Sequence, residues 1–225
     1  MLKFRSYLTL IEMIIIVAIL MTLLVPSLDK TLSFSKKLQC GNIQRAYSGV
    51  LSIYAEDSDE WFVPLKLDTG WGTSWNYNQL FRDLLGVTHN DYTRFIDSVT
   101  CPDVDPKAAG SNMRPKFFGF NRTGHRFGRT VGLMFHSNKV ASPGKKIQMI
   151  EGTDWHLDSG QANYQARWDV YGQFRLWQVA YRHDEGAQML FFDGHVEHRY
   201  KADVYFDGDT DSRDDLWRIN SEASK

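Results

Sequence analysis

Residues 8–28, with the sequence LTLIEMIIIVAILMTLLVPSL, decide the fold because this run of 21 positions carries a single ionisable side chain, Glu12. As a helix with a rise of about 1.5 Å per residue, the run is about 31 Å long, which is enough to cross the hydrocarbon core of a bilayer. Lys3 and Arg5 precede it, and basic residues at this place favour an N-terminus that stays in the cytoplasm. The sequence therefore predicts a single-pass membrane helix with the rest of the chain on the far side of the membrane.

The same helix is predicted to continue beyond the membrane. Pro26 is expected to bend it, Gly41 to weaken it and the cluster at 57–59 to end it. A cleaved secretory signal is disfavoured because no small-x-small cleavage site follows the apolar run. We expect one helix over roughly residues 7–55, with a transmembrane half at 8–28 and an amphipathic half at 29–55. The apolar residues that recur at helical intervals in the second half are Ile43, Ala46, Tyr47, Val50, Leu51 and Tyr54.

Residues 56–225 have the composition of one exported domain. The whole chain is 43% hydrophobic and 24% charged with a formal net charge of −1, which is typical of a folded protein and argues against a nucleic-acid partner. Turn signals are frequent, with β-prone runs at 146–150 and 174–181 and a short helix predicted at 75–85. The expected fold class is α+β, with a small antiparallel β-sheet packed on the amphipathic half of the long helix.

The clearest local signal is a β-hairpin near the C-terminus. Asp193 and Gly194 separate two β-prone runs, residues 187–192 and 195–200. An Asp-Gly pair at this place predicts a type I′ turn, in which both central residues have positive φ.

Three histidines near this hairpin raise the question of a metal or acid–base site. Strand alternation places His195 and His198 on opposite faces of a strand, and Asp193 is already explained as a turn residue. A structural role is therefore favoured for these residues. A metal-dependent enzyme that uses His183, Asp193 and His195 is the weaker alternative. The sequence has no nucleophile elbow, phosphate-binding loop, HExxH or CxxC motif, and we do not expect catalysis.

Two further sets of residues suit a disulfide or an ion. Cys40 and Cys101 are the only cysteines, and an oxidising compartment permits a disulfide between them, whereas the alternative is two unrelated buried thiols. Carboxylates at alternate positions suit Ca²⁺, which prefers hard oxygen ligands, and the alternative is a solvated acidic turn. The candidate calcium ligands are Asp207, Asp209, Asp211 and Asp214.

The start of the chain resembles the N-terminus of type IV pilins and type II secretion pseudopilins. The matched residues are Leu8, Thr9, Leu10, Ile11 and Glu12, followed by the apolar helix and Pro26. The resemblance implies a leader at 1–7, a cut by prepilin peptidase between Tyr7 and Leu8, and methylation of the new N-terminus. It also implies that Glu12 pairs with the N-terminal amine of a neighbouring subunit in a filament. An unpaired charge is costly in a low-dielectric medium, so such pairing would explain the acid within the apolar run.

The resemblance extends to the rest of the chain. Many pilin-like proteins of the large family with this type of start carry Cys-x-Asn after the long helix, a later Cys-Pro, and "RH…FxDGHV" near the C-terminus. The corresponding residues here are Cys40 to Asn42, Cys101-Pro102, Arg182-His183 and residues 191–196. The family implies a structural filament subunit of a bacterial inner membrane whose partners are homologous pilin or pseudopilin subunits. Its major pseudopilins hold Ca²⁺ in a C-terminal loop.

The sequence departs from the family at the cleavage site. Tyr7 stands where the family has glycine or another small residue, and Leu8 stands where it has phenylalanine. Without cleavage no free amine would lie beside Glu12, and the chain would remain a simple membrane-anchored protein. The alternative function is therefore a non-polymerising surface protein that binds polysaccharide through exposed aromatic residues, among them its seven tryptophans, although large aromatics more often form the core.

Overall fold

A computed structural model describes residues 9–65, 75–87, 99–103, 118–123, 135–153, 155–162, 178–206 and 215–219. Several predicted features fall elsewhere. The cleavage site at Tyr7 and Leu8 lies outside the described residues, as do the candidate calcium ligands Asp207, Asp209, Asp211 and Asp214.

The chain begins with one long helix, α1, which runs from Leu10–Asp57 and contains 48 residues. At about 1.5 Å per residue it is about 72 Å long. Thr9 caps its N-terminus, and Pro26 lies inside it without ending it. The C-terminus comes at the predicted acidic cluster, where Asp59 and Glu60 adopt φ values of 51° and 65° that no helix can continue. The prediction of a single helix is confirmed.

The two halves of α1 have different surroundings. Large apolar side chains are exposed from Leu10 (75% exposed) to Leu38 (49%), which covers the transmembrane half and the start of the amphipathic half. This part of α1 is long and apolar enough, by length and composition, to cross a membrane. Burial begins at Cys40 and follows one face of the helix, as the periodicity predicted. The buried residues are Cys40, Gly41, Ile43, Gln44, Tyr47, Leu51, Tyr54 and Ala55.

The described part of the exported domain contains a five-stranded sheet. Its strands are β1 (Phe118–Asn121), β2 (Ile147–Glu151), β3 (His156–Leu157), β4 (Gly186–Phe191) and β5 (Val196–Tyr200), arranged in the order β3-β1-β2-β4-β5. Of the β-prone runs, 146–150 corresponds to β2. Of the run 174–181 the structure describes residues 178–181, and there Val179 forms an isolated bridge to Gly152 and no strand.

The sheet is mixed, so the prediction of a purely antiparallel sheet was wrong. β1 pairs antiparallel with β2 but parallel with β3, with Phe120 opposite His156. The chain reverses direction after β2, so β3 pairs with the other edge of β1 and runs parallel to it. A hydrogen bond from Phe120 N to Trp155 O, at 2.9 Å, is part of this pairing. Gly152 permits this reversal, because a Cβ there would lie 3.1 Å from Gln178 O and closer still to the side chain of Leu157.

Strand β4 lies on the buried half of α1. Gln44 Nε2 donates to Gln188 O at 2.9 Å, and Gln188 Nε2 donates to Lys37 O at 3.4 Å. On this side of the sheet Tyr47 packs edge-on against Trp75 and Phe118. Trp75 opens the predicted short helix, which consists of a 3₁₀ turn (Trp75–Tyr77) and α2 (Gln79–Leu84).

The opposite side of the sheet is covered as well. A second buried cluster there includes Ile147, Ile150, Phe191 and Trp217, all of them fully buried. Strands β1, β2 and β4 are buried at every position, so their apolar residues do not alternate with exposed polar ones. The sheet is therefore an inner layer, with α1 on one side.

The hairpin between β4 and β5 is present, but its turn differs from the predicted type I′. Only Gly194 has positive φ (91°), whereas Asp193 does not. Gly194 N donates to Phe191 O at 3.0 Å, and Phe191 N donates to His195 O at 3.0 Å. This pattern is a type I turn followed by a glycine in the left-handed region, which adds one residue to the loop. Asp193 Oδ1 accepts from His195 N at 3.1 Å, so the aspartate stabilises this alternative turn.

Two glycines give a matched test of this packing. A Cβ at Gly186 would lie 2.5 Å from Arg199 O and against the His198 ring, whereas nothing lies within 4 Å of a Cβ at Gly49 on α1. We expect Gly186→Ala to lower the free energy of unfolding by about 1–3 kcal/mol through overpacking. Gly49→Ala should raise it by about 0.5–1 kcal/mol, because alanine favours a helix interior. Denaturant unfolding followed by tryptophan fluorescence measures both free energies. If Gly186→Ala left the free energy of unfolding unchanged, the pairing of β4 with β5 would be contradicted.

Candidate functional site

Four buried side chains with metal-binding or redox chemistry converge between α1 and the sheet. They are Cys40, Cys101, Glu151 and His183, and their ligand atoms all lie within 4.8 Å of one another. Each residue comes from a different segment of the chain, separated by 32 to 61 positions from the next. We call these four residues the Cys-Cys-Glu-His cluster.

The distances within the cluster are those of direct contact. Cys101 Sγ lies 3.3 Å from His183 Nε2, and the same nitrogen lies 3.2 Å from Glu151 Oε1. Cys40 Sγ donates a hydrogen bond to Glu151 Oε1. The fully buried Glu151 carboxylate is therefore the common acceptor for the thiol and the imidazole.

Three secondary-structure elements set the positions of Cys40, Glu151 and His183. Cys40 is the first buried residue on the face of α1 that packs on the sheet. Glu151 is the last residue of β2, and its second oxygen, Oε2, accepts from Gln188 N of β4 at 3.2 Å. His183 is fixed just before β4, because its backbone N and O both pair with Gly186, at 3.2 Å and 2.9 Å.

Charged groups surround the cluster on the side of α1. His183 Nδ1 faces Asp103 Oδ2 at 4.0 Å, and Lys36 Nζ lies 2.8 Å from Asp103 Oδ1. Lys37 Nζ lies 3.2 Å from Asp184 Oδ2 in the same region. The outer nitrogen of His183 is thus directed toward an acid, while its inner nitrogen is directed at the cluster.

Burial and mutual contact shift the pKa values of the cluster in opposite directions. Burial, followed by the contact with Cys101, raises the pKa of Cys40, whereas the hydrogen bond with Cys40 lowers the pKa of Cys101 to about 7. Burial acts to lower the pKa of His183, but hydrogen bonds with Cys101 and Glu151 raise it to about 10. Burial acts to raise the pKa of Glu151, but the hydrogen bond from His183 and the charges of His183 and Arg182 hold it low. These shifts leave a protonated His183 beside an ionised Glu151, so the cluster contains a buried ion pair.

The donor set defines which chemistry the cluster can perform. Two sulfur atoms, an imidazole nitrogen and a carboxylate oxygen suit a borderline or soft transition-metal ion. Calcium takes oxygen ligands only, so the cluster is not the predicted calcium site. The other chemistry open to it is oxidation of the two thiols, which the structure holds as free cysteines. The structure therefore brings Cys40 and Cys101 together as free thiols, and the disulfide between them stays a prediction.

The structure separates the histidines that the sequence analysis grouped. His183 is buried in the cluster, whereas His195 Nδ1 contacts Asp193 Oδ1 at 2.6 Å at the exposed tip of the hairpin. His198 Nε2 donates to His183 O at 2.8 Å, from the other face of β5. The alternative site of His183, Asp193 and His195 does not come together.

Glu12 has a partner within its own helix. Its carboxylate accepts from Thr9 N at 2.7 Å and from Thr9 Oγ1 at 2.8 Å, and Thr9 Oγ1 accepts in turn from Glu12 N. This reciprocal arrangement is a capping box, which satisfies two groups at the start of the helix. The sequence analysis missed it, although the Thr-x-x-Glu spacing is the signal for it.

The described tryptophans mostly belong to the core. Trp75 and Trp217 are fully buried, Trp155 packs against the core, and Trp61 is 38% exposed against His136. Trp71, Trp168 and Trp177 lie outside the described residues.

Sequence reasoning also missed Glu151 as a member of the cluster. The available signal was weak, because Glu151 is the last residue of a buried strand and no motif connects it with the cysteines. A glutamate at the end of the run IQMIE is an acid at a buried strand position, and that pattern alone suggests a partnered carboxylate.

Comparisons with known proteins add no further assignment. No family model, no curated protein and no solved structure matches this chain.

The buried carboxylate gives a sharp mutational test. Glu151→Gln removes the charge that faces His183 and should lower the free energy of unfolding by about 3–5 kcal/mol, as breaking one side of a buried pair does. Glu197→Gln is the matched control, because Glu197 forms an exposed contact with Arg199 at 2.9 Å. Loss of this exposed ion pair should lower the free energy of unfolding by less than about 1 kcal/mol. If denaturant unfolding gave equally small changes in the free energy of unfolding for Glu151→Gln and Glu197→Gln, the buried ion pair would be contradicted.

Proposed function

We propose that this chain is a structural subunit of a type IV pilus-like or type II secretion pseudopilus filament. In this proposal α1 inserts into the bacterial inner membrane with its N-terminus in the cytoplasm, and the exported domain projects from the filament. The observation that carries the proposal is one continuous helix that is apolar and exposed from Leu10 to Leu38 and packs one face on the domain from Cys40 onward.

The exposed half of α1 needs a covering that the described part of the chain does not provide. From Leu10 to Leu28 the large apolar side chains are about half exposed or more. Lipid covers such a surface while the subunit is in the membrane. A filament in which neighbouring helices pack together would cover it after the subunit leaves the membrane.

The apolar surface also extends further than a membrane anchor needs. Leu32, Phe34 and Leu38 are 53%, 57% and 49% exposed, although they follow the charged pair Asp29 and Lys30. At about 1.5 Å per residue, Leu38 lies about 42 Å from Leu10 along the axis, which exceeds the hydrocarbon thickness of about 30 Å. Lipid would not cover all of these side chains. Packing against the helices of other subunits would.

The capping box at the start of α1 gives Glu12 hydrogen bonds but no positive charge, which a neighbouring subunit would have to supply. Thr9 satisfies hydrogen-bonding groups of Glu12 but carries no positive charge, so it leaves the carboxylate uncompensated. In a helix bundle of low dielectric, an amine from another subunit would supply that charge. Capping within the subunit and pairing between subunits are therefore separate roles of one side chain.

The alternative function as a non-polymerising polysaccharide-binding protein has less support. It requires exposed aromatic platforms, and among the described tryptophans Trp75 and Trp217 are fully buried, whereas Trp61 is 38% exposed and packs edge-on against His136.

Two substitutions at Glu12 separate the two roles. Glu12→Gln keeps an acceptor for Thr9, since glutamine also forms capping boxes, but it removes the charge. Glu12→Ala removes both. We expect both variants to insert into membranes and both to lower the yield of sheared filaments at least about tenfold, which corresponds to a loss of about 1.4 kcal/mol per contact.

The outcome for Glu12→Gln decides between the roles. Filaments at the wild-type yield in that variant, with loss only in Glu12→Ala, would mean that Glu12 acts as a helix cap and pairs with no other subunit. Mass analysis of the N-terminus in the same membrane fractions checks the processing step. A methylated Leu8 is the expected result, and an intact Met1 in the wild-type protein would contradict the filament proposal.

A further inference from the structure

We propose that the Cys-Cys-Glu-His cluster is a structural zinc site. Cys40 Sγ, Cys101 Sγ, Glu151 Oε1 and His183 Nε2 would supply its four ligand atoms. The proposal concerns the stability of the exported domain and does not depend on whether the subunit forms filaments.

The spacing of the ligand atoms fits one small ion. Ligand atoms about 2.0–2.3 Å from a tetrahedral zinc lie roughly 3.3–3.8 Å from one another. The sulfur of Cys101 is 3.3 Å from His183 Nε2, and that nitrogen is 3.2 Å from Glu151 Oε1. The full set lies within 4.8 Å, so small rotations of the side chains bring all four atoms to zinc distance.

The groups behind the ligands hold them in the required orientation. Gln188 N donates to Glu151 Oε2, which leaves Oε1 directed into the cluster. Asp103 Oδ2 faces His183 Nδ1 at 4.0 Å, and Lys36 fixes Asp103. An acid behind the outer nitrogen of a ligating histidine is the usual arrangement in zinc sites, because it fixes the tautomer and directs the inner nitrogen at the metal.

The charges also favour a divalent cation. Zinc binding would displace the protons of both thiols, and the two thiolates and the Glu151 carboxylate would then place three negative charges around the ion in a fully buried space. Zinc offsets two of them, and the charge of Arg182, which acts on Cys101 and Glu151, offsets the third.

A disulfide explains the cluster less completely. It would use Cys40 and Cys101 and leave a buried carboxylate and a buried imidazole with no role in it. A shared ion would use all four side chains as ligands. Four protein ligands also fill a tetrahedron and leave no open position for substrate, so the site is structural rather than catalytic.

The consequence of zinc binding is a fixed junction between the long helix and the sheet. Cys40 belongs to α1, Glu151 to β2, and His183 precedes β4. One ion therefore connects segments that are distant in the sequence, and its binding energy adds to the folding free energy.

Metal analysis of the full-length chain tests the proposal. We expect protein purified in detergent with reductant and without chelator to contain about one zinc per chain. Cys101→Ser and His183→Ala should each lose most of it, whereas His195→Ala should keep it, because His195 is exposed at the hairpin tip. Circular dichroism with a thermal melt identifies any variant that fails to fold.

Cobalt substitution tests the same site in the wild-type protein, without any variant. Co²⁺ added to chelator-treated protein should give thiolate-to-cobalt charge transfer and the intense visible bands of a tetrahedral site. Chelation alone should lower the melting temperature, and Zn²⁺ should restore it. Two results would overturn the proposal: zinc content that is the same in all variants, or metal-free wild-type protein whose mass is lower by two hydrogen atoms, as a disulfide requires.

Discussion

The packing of the second half of α1 on strand β4 is the interaction on which the rest of the structure depends. It brings one face of the helix, from Cys40 to Tyr54, into the core and connects Gln44 to Gln188. Because the helix is continuous, this packing also sets the direction in which the exposed first half leaves the domain. The apolar part of α1 is thus joined to the folded domain by a continuous helix and not by a loop.

The sequence features that resemble the pilin-like family lie close to this junction. Cys40 and Cys101 meet there, and His183 joins them. The Asp193-Gly194 tip lies against the same helix, because a Cβ on Gly194 would lie 2.7 Å from Ser48 Oγ. His198 on the second strand of the hairpin then donates to His183 O. The hairpin therefore supports the position of the buried histidine, which gives the motif a structural role.

The amino-acid sequence predicts the local elements of this protein well and its long-range contacts poorly. Helical periodicity is a local property, so α1 and its buried face could be predicted from 48 residues alone. The parallel pairing of β3 could not, because a strand of two residues has no periodicity to detect. The cluster depends on residues as far apart as Cys40 and His183, and nothing local connects Glu151 with either. The turn at Asp193 was predicted in place but not in type, because Asp-Gly also suits a type I turn with a left-handed glycine.

The central claim is that the exposed apolar side chains of α1 beyond the membrane are covered by other copies of this chain. A photo-crosslinking residue at Phe34, which is 57% exposed, tests it most directly in whole cells. The account predicts a ladder of crosslinked copies from this position, and only monomer from the same probe at the buried Tyr47. Crosslinking of Phe34 to lipid alone, with no copies joined, would contradict it.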